Sequence, residues 1–315
     1  MIKIRSFICG IQGSKLKHSE ITFLRKYKPW GIILFSRNIK SLKQTQLLTK
    51  SIKLLFKNEK YPIFIDEEGG RVSRLFKFID NSKFSAEYFG NLYLRDIKKF
   101  NIFFKIYIDQ ISHLLNLLGV NINTVPVLDI RKKNSHNIIG DRAYSFDKKI
   151  VSKIGDLCVS NFHKNNIFTV IKHIPGHGLA KADSHKKLPY IYKKHSYLEK
   201  NDFFTFKNKK KSFAMTGHLV FFDIDPHNPV THSKKIINII RKKIGFNNLI
   251  ISDDISMKAL KYSVSENTRR AFTAGCNLVL HCNGKLSEMV KVAENSPYIN
   301  NFIIKKTRQF RSIIR

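Results

Sequence analysis

The stretch Ile250-Ile251-Ser252-Asp253-Asp254-Ile255-Ser256-Met257-Lys258-Ala259-Leu260 decides how the rest of the chain is read. Apolar residues run into two adjacent acids, and a helix is expected to begin at once. An unbroken apolar run of strand length is what a parallel sheet covered on both faces requires. Neighbouring side chains at a strand end point to opposite sides. One acid can therefore cap the coming helix, a contribution of about 1 kcal/mol, while the other faces outward as nucleophile or base. Asp254 suits the cap, but spacing alone does not assign the two roles.

The same arrangement recurs outward from this stretch. Short apolar runs lie at Ser6–Gly10, Gly31–Phe35, Pro62–Ile65, Val120–Val127, Phe168–Lys172, Ser212–Met215, Asn248–Ser252 and Asn277–His281. Amphipathic, lysine-rich stretches separate them, with helical spacing at Ile39–Phe56, Asp96–Leu118, Asp147–His163, Lys234–Lys243 and Ser263–Ala274. Eight strands alternating with helices predict an α/β chain folded as one (β/α)₈ TIM-type barrel domain over residues 1–315. Polar residues gather at the same end of these runs: Asp66, Asp129, Lys172-His173, His218, Asp253-Asp254, and His281 with Asn283. In such a barrel those ends share one rim, and that rim carries the chemistry.

Composition sets the outer limits. The 315 residues include 57 Lys+Arg against 23 Asp+Glu, a formal charge of +34, and the 43% hydrophobic content excludes a disordered chain. No apolar run approaches the roughly 18 residues of a membrane span. The apolar stretch after Lys3 and Arg5 ends by Gln12, without the cleavage site of a signal peptide. A cytoplasmic protein with no membrane contact is expected. Cys9, Cys158, Cys276 and Cys282 are scattered and read as buried thiols. The lysines are spread along the chain, and the densest runs, Lys209–Lys211 and Arg241–Lys243, are expected on solvated helices or loops. Nucleic-acid binding would cluster its cations among exposed aromatics, so it is disfavoured. Abundant Ile, Asn and Phe beside Lys is the bias that an AT-rich coding sequence produces.

Two further motifs carry chemistry. In Ile65-Asp66-Glu67-Glu68-Gly69-Gly70-Arg71-Val72-Ser73-Arg74, Asp66 can present a carboxylate to paired sugar hydroxyls and Arg74 a fork of donors. The plain alternative is an acidic turn paired with its own arginines. In Lys172-His173-Ile174-Pro175-Gly176-His177-Gly178, followed by Asp183-Ser184-His185, three histidines invite a zinc site. Pro175 and Gly176 break the helix that would align His173 with His177, and nothing completes a tetrahedral set. The better reading is a rim loop in which Asp183 holds His185 and supports its imidazolium.

These segments resemble the cytoplasmic β-N-acetylhexosaminidases of glycoside hydrolase family 3, the single-barrel type that cleaves muropeptides. The resemblance rests on Gly31–Asn38 (GIILFSRN), Ile65–Leu75 (IDEEGGRVSRL), Val125–Asp129 (VPVLD), Ile139–Ser145 (IGDRAYS), Lys172–Gly178 (KHIPGHG), Asp183–His185 (DSH), Met215–His218 (MTGH), Asp223–Pro226 (DIDP) and Ser252–Leu260 (SDDISMKAL). It implies a retaining exo-β-N-acetylglucosaminidase of cell-wall recycling, working through a covalent glycosyl-enzyme. Asp253 matches the nucleophile, His185 the acid/base and Asp183 its partner. Asp66, Arg74, Arg142, Lys172 and His173 match the positions that grip the terminal N-acetylglucosamine. The expected partner is a small carbohydrate, an N-acetylglucosamine-anhydro-N-acetylmuramyl peptide, met by a monomer without cofactor or metal. Alternatives are a β-glucosidase-like barrel, whose members usually lack the DSH loop and use a carboxylic acid from a second domain, and a basic nucleic-acid binder. One departure stands out: Glu67 occupies a position where many relatives carry His, which changes the local charge and leaves Asp66 in place.

Overall fold

The computed structural model describes residues 3–133, 136–184 and 186–314. The expected barrel is present. Eight strands, all paired in parallel, close in the order β1 (Arg5–Gly10), β10 (Leu278–His281), β9 (Ile250–Asp254), β7 (Phe213–Thr216), β5 (Phe168–Ile174), β4 (Ile122–Asn123), β3 (Ile63–Ile65) and β2 (Pro29–Leu34). Their apolar runs are buried on both faces. On β1, Phe7 and Cys9 face the helical layer while Ile8 points into the barrel with Trp30, Phe64, Phe168 and Phe213. A second pair, β6 (Tyr190–Ile191) with β8 (Val220–Phe221), lies outside the barrel.

Most expected helices form within a few residues of their reading, with boundaries set by local caps. Ser41 Oγ accepts the Gln44 N–H at the start of α2 (Leu42–Leu55), and Asp96 accepts the Lys99 N–H at the start of α4 (Ile97–Leu117). Asp147 caps α5 (Lys148–Lys164), and Ser233 caps α7 (Lys234–Lys242). Five helices were not anticipated: α1 (His18–Tyr27), α3 (Ala86–Arg95), α6 (His195–Lys200), α9 (Leu286–Glu294) and α10 (Asn301–Ile313). The last closes the N-terminal mouth of the barrel. Phe310 is fully buried against Phe168, with ring centroids 5.4 Å apart, and against Trp30. The Trp30 indole N–H donates to Thr307 at 2.9 Å.

Three expectations need correction. The run Val120–Val127 yields a strand of only two residues; Pro126, with no N–H to donate, gives the neighbouring strand only its carbonyl, which accepts from Lys172 at 3.1 Å. Beyond it, Leu128 donates to the Lys172 carbonyl at 2.7 Å and the chain follows β5 irregularly. The helix after β9 does not begin at once; α8 (Val264–Ala274) starts ten residues past Asp254 and is capped by Ser263. The cationic runs are not simply solvated. Lys209 is buried on Asp156 and Ser152, while Arg241 spends its guanidinium on the carbonyls of Phe246 and Asn248 and on Asn277. Cys9, Cys158 and Cys276 are buried as expected, whereas Cys282 is half-buried.

Candidate active site

The C-terminal ends of the strands surround a pocket of about 330 Å³. Asp66, Arg74, Arg142, Lys172, His173 and Asp253 all line it, so the ends of β3, β5 and β9 and the loop after β4 converge as the sequence predicts. A larger hollow of about 600 Å³ lies between α1 and α2, but leucines dominate it and among the described residues no carboxylate or imidazole lines it. Its position and lining give it no part in the chemistry at the strand ends.

Lys172 is the hub. Its stem is buried in β5 and its ammonium reaches Glu68 at 2.6 Å, Thr124 Oγ1 at 2.9 Å and Asp66 at 3.0 Å. Asp66 also accepts from Thr124 and lies 3.7 Å from Arg74. Burial alone would raise the Asp66 pKa, but Lys172, Arg74 and the Thr124 hydroxyl outweigh it and hold the carboxyl well below the usual range. Glu68 follows the same logic. Arg142 grips both of its oxygens, at 2.7 and 2.9 Å, and with Lys172 overcomes the desolvation that would raise its pKa. Desolvation likewise opposes the charge on Lys172, and Asp66 and Glu68 more than restore it. Two carboxylates and three cations therefore stand ionised and preoriented around the pocket.

His173 and His177 share one anchor. The buried Asp129 carboxylate accepts from His173 Nδ1 at 2.6 Å and from the His177 backbone N–H at 2.7 Å. The Asp129 pKa is lowered although burial would raise it, because His173 sits against it. His173 thus donates its Nδ1–H to Asp129 and turns its other nitrogen elsewhere, the tautomer control that a carboxylate provides. Burial, with help from His173, pushes His177 down to about 4, so its ring is neutral. Among the described residues no cluster of three metal-ligating side chains forms.

At the end of β9 the two acids share the pocket but take different partners. Asp253 lines the pocket, and its Oδ1 accepts the Asp254 N–H at 2.8 Å. Asp254 also borders the pocket, but it does not cap a helix. Its carboxylate takes the Ser256 N–H and hydroxyl at 3.0 and 2.8 Å, folding the turn that follows. Beneath them the fully buried His218 donates from Nε2 to the Asp254 carbonyl at 2.9 Å, and Thr231 binds its Nδ1 at 2.8 Å. Burial lowers the His218 pKa, which keeps the ring neutral and in the tautomer those two bonds need.

Asp183 is half-buried next to Ser184, which is buried and lines the pocket, and its carbonyl accepts the N–H groups of Lys186 and Lys187. His185 lies outside the described residues. His281 and Asn283 do not line the pocket; both bind Glu288 at the start of α9, while their neighbours Leu280 and Cys282 reach the site. Glu68, Thr124 and His177 were not expected as site residues, and Asp129 was expected on the rim but given no role. Asp129 had a signal, as a lone acid at a strand end; Glu68 had only its place in an acidic turn. That turn pairs as the plain alternative foresees in one case, Asp66 with Arg74, whereas Glu68 reaches across to Arg142.

The chain is similar to known glycosidases over nearly its whole length. A family profile described as "Glycosyl hydrolase family 3 N terminal domain" matches residues 2–309. A β-hexosaminidase from Nitrosomonas eutropha is 32% identical over 287 residues, covering 87% of this chain and 79% of that protein. The β-hexosaminidase of Haemophilus influenzae is 28% identical over 308 residues, covering 93% and 85%. Among solved structures, NagZ from Neisseria gonorrhoeae in complex with N-trifluoroacetyl-D-glucosamine superposes with a TM-score of 0.84 at 26% identity, covering 98% of this chain and 90% of that one. The barrel, the strand-end pocket of paired charges and these matches lead to one conclusion: the chain is a glycoside hydrolase and belongs to glycosyl hydrolase family 3.

Proposed function

We propose that the chain is a retaining exo-β-N-acetylglucosaminidase that removes terminal β-linked N-acetylglucosamine from muropeptides during cytoplasmic cell-wall recycling. The observation that carries the reading is a small pocket in which Asp253 shares the lining with Asp66, Arg74, Arg142, Lys172 and His173. About 330 Å³ is at the small end of ligand pockets, the size for one sugar ring rather than a long chain. Relatives named β-hexosaminidase and a neighbour bound to an N-acylated glucosamine support that sugar.

In this mechanism the Asp253 carboxylate attacks the anomeric carbon. The bond to the glycosidic oxygen breaks, and His185 gives that oxygen its proton. A glycosyl ester remains on Asp253. His185, now neutral, takes a proton from water, which attacks the same carbon and frees Asp253 with net retention. Asp183 orients the imidazole and supports its charged form. Asp66, Arg74, Arg142, Lys172 and His173 bind the sugar hydroxyls and acyl group; because their charges are already paired, little reorganisation is needed when substrate arrives. The whole chain acts as one barrel domain, as a monomer, without a cofactor.

The test is a pair of aryl glycosides that differ only at C2. Cleavage of the N-acetyl-β-glucosaminide at least about 10²-fold faster than the β-glucoside is expected, since a site built to bond a polar group rejects the analogue lacking it. Preference for the glucoside would overturn the reading, and muropeptides left intact by an active enzyme would remove the recycling role.

A further inference from the structure

Glu67 has no part in the scheme above, yet it is 1% exposed and its carboxylate accepts four hydrogen bonds. Its Oε2 accepts from the Arg74 N–H at 2.6 Å, the Leu75 N–H at 3.0 Å and the Ser73 hydroxyl at 3.2 Å. Its Oε1 accepts from the Asn81 side-chain amide at 2.6 Å. Its own backbone is locked to Asn123 of β4 in both directions, at 3.0 and 2.8 Å. Among the described residues no lysine or arginine side chain forms an ion pair with it. Every contact to the carboxylate is a neutral donor, and three of them come from consecutive residues of one loop.

The backbone bonds of that loop stop short of Arg74. Between Asp66 and Arg74 the chain reverses through Gly69 and Gly70, with φ of +84° and +57°; Val72 donates to the Gly69 carbonyl at 3.2 Å and accepts from the Glu68 N–H at 2.9 Å, and the Gly70 N–H reaches the Asn81 carbonyl at 3.1 Å. A side chain at Gly69 would strike the Phe84 carbonyl and the Tyr107 hydroxyl. The turn therefore sets the direction of the loop, but it does not reach Arg74. The three-donor clasp on Glu67 does.

We propose that Glu67 is a positioning residue: its buried carboxylate clamps residues 73–75 against β3 and so fixes the Arg74 guanidinium beside Asp66, where the sugar binds. The inference rests on reading Arg74 as a sugar contact. Burial pushes the Glu67 pKa up and the four donors pull against it, the balance expected of an acid retained for its lone pairs rather than for a counter-ion.

Two measurements on the full chain test this. Hydrogen exchange reads the clamp directly: Glu67→Ala should let the amides of Arg74 and Leu75 exchange at least about tenfold faster, because each loses its buried acceptor. Steady-state kinetics on the aryl N-acetyl-β-glucosaminide read its consequence. Glu67→Ala should raise KM about tenfold with kcat within about threefold, the pattern of lost uniform binding. Glu67→Gln keeps an oxygen for the three loop donors and should restore KM to within about threefold. A folded Glu67→Ala protein with wild-type exchange at 74–75, or with wild-type KM, overturns the proposal. If the wild-type chain does not cleave the glucosaminide, the functional reading fails on its own and the exchange arm still decides the clamp.

Discussion

The two mouths of the barrel are built from the same strands and share almost no chemistry. At the N-terminal mouth Trp30, Phe168 and Phe213 meet Phe310 of α10, with one hydrogen bond from Trp30 to Thr307. At the C-terminal mouth Asp66, Glu68, Arg74, Arg142 and Lys172 stand around an open pocket, each carboxylate matched to a cation. The first mouth buries apolar area, which favours the fold without direction. The second mouth holds desolvated charges, which cost free energy to bury and are tolerated only while every partner is present. Stability should therefore reside at one end and turnover at the other, and each expectation below attacks that division.

The largest effect is expected at Asp253. Asp253→Asn keeps the oxygen that accepts the Asp254 N–H but removes the carboxylate proposed as the nucleophile. Turnover should fall by about 10⁴-fold or more, the scale of losing a covalent catalyst, with the melting temperature within about 2 °C of wild type, since the substitution is nearly isosteric. A fluorinated sugar trap should label Asp253; labelling of Asp254 instead would exchange the two roles. At the opposite mouth, Phe310→Ala should cost about 3–5 kcal/mol in denaturant unfolding, as expected for an aromatic removed from a packed core. Its KM on the aryl substrate should not move while the protein remains folded. An altered KM at full stability would mean that the two ends are coupled, and the division would fail.

The smallest effect concerns acid. The Glu68 pKa, which burial alone would raise, is depressed to about 2 by Arg142 and Lys172, against an ordinary 4.5. A carboxylate depressed in the folded state contributes stability above its unfolded pKa and loses it as pH falls through the folded value. Wild type should therefore lose stability between about pH 4.5 and pH 2, and part of that loss should vanish in Glu68→Gln, which will be less stable at pH 7 and flatter in acid. Parallel acid limbs for the two proteins would show that the paired charges at this mouth do not carry the titration.

Much of this division was legible in the chain itself. Runs such as Gly31–Phe35 and Asn248–Ser252 announce strands covered on both faces, and their alternation with helical spacing leads to the barrel. Once the barrel is known, strand ends such as Asp66, Lys172-His173 and Asp253 must share a rim, because parallel strands all point their C-terminal ends the same way. The helices that were missed had weaker signals: α10 carries charge between its apolar positions, and its role as a plug depends on what faces it.

Sequence alone determined the eight strands of the barrel, their parallel direction and the common rim, because these follow from local periodicity and the geometry of strand and helix, whereas the outer pair of β6 and β8 was not legible in it. It could not determine which acids pair. Asp253 and Asp254 are adjacent and chemically identical, and only the packed turn at Ser256 and the buried His218 beneath the Asp254 carbonyl distinguish them. Glu67 and Glu68 are likewise adjacent, yet one clasps backbone amides and the other binds Arg142, 74 positions away. A carboxylate's partner is set by which donors surround it once water is excluded, and that environment exists only when distant segments have packed together.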